Sequence, residues 1–68
     1  MPSSVIRAFS YDPCRRELAV TFTTGRRYLY SDVPPHEAEA FRTAFAKGHY
    51  FNARIRHYPS REIDAAED

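Results

Sequence analysis

One cysteine, two glycines and no tryptophan are found in this chain of 68 residues, and each scarcity excludes something. Cys14 alone cannot close an intrachain disulfide, nor can it supply the several thiolates of a structural zinc site. With only Gly25 and Gly48, no glycine-rich phosphate loop can be drawn. No run approaches the roughly 20 apolar residues of a membrane span. Met1-Pro2-Ser3-Ser4 lacks the basic start of a secretory signal, and no long apolar run follows it. These absences lead us to expect a cytoplasmic protein without membrane contact, where a free thiol stays reduced. At this length the chain is one domain that buries only about 60% of its unfolded surface.

Lysine is scarce too: nine of the ten basic residues are arginine. Arginine binds phosphate and carboxylate through a planar fork and stacks on rings. The net charge of +1 conceals a gradient, because Glu62, Asp64, Glu67 and Asp68 crowd the C-terminus. Residues 1–61 carry ten basic groups against five acidic ones, a balance of +5.

What is plentiful is alternation. Residues 4–11 are rich in β-branched and aromatic types and predict a first strand. Either Ile6 and Ala8 or Val5, Phe9 and Tyr11 face its core side. Asp12-Pro13 ends it, since Asp can bond the backbone ahead and Pro presets φ. Residues 17–23 alternate, with Leu18, Val20 and Phe22 on one face. Residues 26–30 make a third strand after Thr24-Gly25. A two-residue loop pairs Thr23 with Arg26 and puts Leu29 on the core face with Leu18, Val20 and Phe22. Tyr28 and Tyr30 then share the opposite face with Ala19, Thr21 and Thr23. A loop one residue longer reverses the two faces.

From Pro34-Pro35 the spacing turns helical, with Ala38, Phe41 and Phe45 on one side and Ala44 beside them. Ser31 or Asp32 is placed to accept the first amides, Glu37 and Glu39 suit the positive end, and Lys47-Gly48 closes the helix. A short second helix over residues 49–58 gathers Phe51, Ile55 and Tyr58 and projects Arg54 and Arg56 away from them. Pro59 ends it. Residues 61–68 read as an acidic, disordered tail. The expected fold is α+β: a three-stranded antiparallel meander packed by one main helix and a short C-terminal helix.

Taken in order, Ser3-Ser4-Val5-Ile6, Tyr11-Asp12, Leu18-Ala19-Val20-Thr21-Phe22, Gly25, Tyr28-Leu29-Tyr30, Val33-Pro34 and Gly48-His49-Tyr50-Phe51-Asn52 with Ile55-Arg56 resemble the KTSC domain. That family is named for the C-terminus of some lysyl-tRNA synthetases and also occurs as short stand-alone bacterial proteins. The resemblance covers residues 3–60. Its signature Tyr-x-Tyr is matched by Tyr28 and Tyr30, and the later motif by Tyr50, Phe51, Asn52, Ile55 and Arg56. Ser10 departs from it, standing where relatives often carry Gly. The synthetase context implies contact with RNA.

Catalytic chemistry finds no support. His36, His49 and His57 are 13 and 8 apart, which fits no local ligand pair. Cys14 lies beside Arg15 and Arg16 but has no base partner. We therefore expect a non-enzymatic binding module with neither metal nor cofactor. Two readings of its partner stand. In the first, Tyr28 and Tyr30 on an open face stack RNA bases at about 1–3 kcal/mol each, with Arg7 and Arg26 nearby and Arg54 and Arg56 extending the surface. In the second, both tyrosines pack under the second helix and serve the core. The domain then binds a protein partner or dimerises through its sheet.

Overall fold

A computed structural model describes residues 6–63. Four strands form one antiparallel sheet in chain order: β1 (Ile6–Asp12), β2 (Glu17–Phe22), β3 (Arg27–Tyr30) and β4 (Ser60–Ile63). Between β3 and β4 come α1 (Pro35–Thr43) and α2 (Lys47–Tyr50). The second helix runs on into a π-helical turn over Phe51–Ile55, where the Arg56 N–H donates to the Phe51 carbonyl at 3.0 Å. The expected α+β class holds, with one strand more.

That fourth strand takes in residues 61–63, the expected start of the tail. Ser60–Ile63 pairs with β3 through Tyr30↔Ser60 and Tyr28↔Glu62. Three of its four residues are exposed, so it leaves no apolar repeat to recognise. An edge strand is held by backbone bonds, which every residue except proline can make on both sides. Residues 64–68 of the expected tail, and Ser4 and Val5 of the expected first strand, lie outside the described residues.

The turns set the register. Asp12 Oδ1 accepts the amides of Cys14 at 3.0 Å and Arg15 at 3.3 Å, as its turn chemistry requires. Between β2 and β3 the Phe22 amide donates to the Arg26 carbonyl and the Gly25 amide to the Phe22 carbonyl, both at 2.9 Å. Thr23, Thr24 and Gly25 thus make a three-residue loop, with Gly25 at φ 97°. A side chain there would be strained, which is why glycine suits this loop. The pairing becomes Val20↔Tyr28, Ala19↔Leu29 and Leu18↔Tyr30. Compared with the two-residue loop, every residue of β3 changes face. Tyr28 and Tyr30 join Leu18 and Val20, and Leu29 turns outward.

The first strand reconciles its two candidate faces with a bulge. Ile6 pairs with Phe22 but Ala8 with Thr21, so Arg7 is the extra residue. Ile6 is therefore buried while Phe9 and Tyr11, opposite Val20 and Leu18, also turn to the core. Arg7 and Ala8 are exposed.

Both helices lie on this one side. Ala38 and Phe41 of α1, with Phe51 and Ile55, close over Leu18, Val20, Tyr30 and Val33. Phe41, Leu18, Ile55, Val20 and Val33 are fully buried, each favouring the fold by about 1.5–3 kcal/mol. The main helix differs from expectation at both ends. Pro34 precedes it with no side-chain cap, so neither Ser31 nor Asp32 serves. It stops at Thr43, where Ala44 takes an extended ψ of 136°, and Lys47-Gly48 opens α2 instead of closing α1. Phe45 consequently falls in the connecting loop and is fully exposed.

Candidate functional site

The residues proposed for a tyrosine–arginine surface are scattered. Tyr30 is 5% exposed. Its ring meets Phe51 edge-on at 5.4 Å and Tyr28 at 6.5 Å, and Phe22 bridges Tyr28 and Phe51. Burial, then the neighbouring Tyr28, raises the Tyr30 hydroxyl above its ordinary range, opposed by Arg56. Arg7 and Arg26 lie toward the β2–β3 hairpin, whereas Arg56 acts on Tyr30 at the other end of β3. Arg54 turns back over the Tyr50 ring, 6.0 Å from its centroid. Of the motif residues, Phe51 and Ile55 are core, Tyr28 and Tyr50 half-buried, and Asn52 and Arg56 exposed. The tyrosines therefore form an aromatic cluster under the helices, and the arginines do not converge on it as one surface.

The spacing of apolar residues does not single out Glu37, the buried charged residue of the described chain, 4% exposed in the first turn of α1. The Tyr50 and Tyr58 hydroxyls both donate to its carboxylate, Tyr58 at 3.2 Å. Arg54 donates at 3.4 Å from a side chain that is 60% exposed. The hydrogen bond to Glu37 is the main cause raising the Tyr50 hydroxyl above its ordinary value, whereas for Tyr58 burial leads and the Glu37 charge follows. A buried charge persists where donors surround it and where a helix N-terminus favours a negative group. One signal was available: Glu37 stands four residues before Phe41, on the same helical face.

No described helix covers the other side of the sheet. Its row across β1, β2, β3 and β4 is Ser10, Ala19, Leu29 and Arg61, flanked by Asp12 and Glu17 on one side and by Ala8, Thr21, Arg27 and Ile63 on the other. The small residues leave a shallow concavity of about 380 Å³ edged by Asp12, Arg15, Glu17, Arg27 and Arg61. Asp12 and Arg15 sit 4.0 Å apart, both well exposed. Among the described residues Glu17 and Arg61 take part in no ion pair. The face combines an apolar centre with charges of both signs.

Cys14 is exposed in the β1–β2 turn, and all three histidines are exposed. Among the described residues no three His, Cys, Asp or Glu side chains cluster to hold a metal. No described helix is long and apolar enough to cross a membrane.

Comparison with known proteins gives a family. The KTSC domain model matches residues 2–58. A protein of Tsukamurella paurometabola is 39% identical over 79% of this chain and 81% of its own length. One of Stutzerimonas stutzeri is 36% identical over 94% and 93% respectively. A lysine–tRNA ligase of Nostoc punctiforme is 40% identical over 78% of this chain, which covers 9% of that enzyme. The crystal structure of a KTSC domain protein from Yersinia pestis superposes with a TM-score of 0.87 at 32% identity, covering 94% of this chain and 92% of that one.

Proposed function

The chain belongs to the KTSC domain family, and from that premise we propose that it is a non-catalytic binding module that engages a partner protein through the open face of its sheet. One observation carries this reading. Phe9, Tyr11, Phe22, Tyr28 and Tyr30 all turn to the helices, so the open face has Ala19 and Leu29 at its centre, with Ile63 at its edge and both signs of charge around them. An apolar centre inside a polar rim is the anatomy of a protein interface. Base stacking requires an exposed aromatic plane, and the open face offers none.

Contact with RNA is the second reading, favoured by the +5 balance of residues 1–61 and by the lysine–tRNA ligase among the relatives. Exposed Arg7, Arg26, Arg54 and Arg56 would then bind phosphates without stacking, giving affinity that falls steeply with salt.

A photo-crosslinking residue placed at Leu29 in bacterial cells tests both, with Thr43 on α1 as the control position. The protein reading expects discrete adducts from Leu29, resistant to ribonuclease and absent from Thr43. Adducts that ribonuclease removes would favour RNA. Equal adducts from the two positions would sink the assignment of the face.

A further inference from the structure

Resting on the reading of the open sheet face as a protein interface, we infer that its partner is a second copy of this chain. The face is self-complementary. Glu17 stands two residues along β2 from Ala19, and Arg61 stands beside Leu29 on β4, at about the same distance from the middle of the Ala19–Leu29 pair. Register separates them by two strands and about two residues, roughly 12 Å, and among the described residues they form no ion pair within one copy. A two-fold axis lying between two facing sheets, passing between Ala19 and Leu29, exchanges the two positions. Glu17 of each copy then meets Arg61 of the other, and both pairs form from one rotation, as an isologous interface requires. The same rotation sets Leu29 of one copy toward Ala19 of the other, where the small side chains leave the concavity of about 380 Å³.

The charges favour this occupant over a polyanion. Glu17 and Asp12 repel phosphate along one side of the face, whereas a second copy brings an Arg61 to each Glu17. Size sets the strength. With strands about 4.8 Å apart and about 3.3 Å per residue, the face presents on the order of 400 Å² per copy. Stable complexes bury about 800 Å² per partner. The dimer is therefore weak, with a dissociation constant on the order of 100 µM.

Sedimentation equilibrium from about 20 µM to about 1 mM brackets that constant. The parent is expected to rise from 7.9 kDa toward twice that mass. Arg61→Glu and Glu17→Arg should each weaken association about tenfold, since each removes two symmetric pairs and adds repulsion. Mixed in equal amounts, the two variants present opposite charges at every pair and should associate as tightly as the parent. Arg61 is exposed, so Arg61→Glu carries the test alone if Glu17→Arg does not fold. A parent that stays monomeric at about 1 mM, or a dimer indifferent to Arg61→Glu, overturns the inference. If the parent is monomeric but Leu29 still crosslinks to specific proteins, the second copy is wrong and the interface stands. If both fail, the interface falls as well.

Discussion

Replacing Glu37 by Gln tests whether the buried carboxylate organises the packing of α1 against the segment after it. The shape stays almost unchanged, but the amide nitrogen cannot accept a hydroxyl proton. Of the Tyr50 and Tyr58 bonds, one keeps a neutral acceptor and the other must reverse, the amide N–H donating to the hydroxyl, so two charged bonds become neutral ones. Bonds to charged groups contribute about 1.5–3 kcal/mol against about 0.5–1.5 for neutral ones. The largely exposed Arg54 contact adds little. The sum is a loss of about 2–3 kcal/mol, from a total of about 3–10 kcal/mol for a chain this size. At about 4–8 °C per kcal/mol, the melting temperature should fall by about 10–20 °C. Thermal and urea unfolding followed by circular dichroism measure it. Tyr50→Phe in the same background should show coupling of about 1 kcal/mol in a double-mutant cycle. A Glu37→Gln protein melting within about 2 °C of the parent, or full additivity with Tyr50→Phe, would refute the reasoning.

Three further outcomes are expected. Tyr30→Ala should cost about 3–5 kcal/mol through the cavity it leaves, and half-buried Tyr28→Ala about 1–3 kcal/mol. Urea unfolding checks both, and a Tyr30 loss below about 1 kcal/mol contradicts the burial of that ring. Because the Tyr30, Tyr50 and Tyr58 hydroxyls are raised above the ordinary 10.0, the folded state holds their protons longer than the unfolded state. Their contribution is complete below about pH 10 and is lost as pH climbs through the raised values. Tyrosinate absorbance should therefore develop together with the loss of helical circular dichroism, and clear ionisation of these three in a still-folded protein would contradict it. Fully exposed Phe45→Ser should leave the melting free energy within about 0.5 kcal/mol, whereas Phe41→Ala should cost about 3–5 kcal/mol; differential scanning calorimetry separates them.

What the sequence determined by itself is what local chemistry controls. The alternation of β2, the turn at Asp12-Pro13, the helical spacing of Ala38 with Phe41 and of Phe51 with Ile55, and the family motif are all legible without the fold. Each depends on residues within a few positions of one another. Tertiary structure alone decided which face of the sheet the helices cover. Either face of β3 can supply apolar surface, Leu29 on one side and Tyr28 with Tyr30 on the other, so its period of two tolerates a slip by one. The third loop residue, with Gly25 in the left-handed region, broke that tie and moved the tyrosines into the core. The fourth strand was hidden because its bonds come from the backbone of β3, and Glu37 because its partners arrive from residues 13 to 21 positions away. The candidate interface shares that origin: Glu17, Leu29 and Arg61 lie on three strands, and only the register sets them side by side.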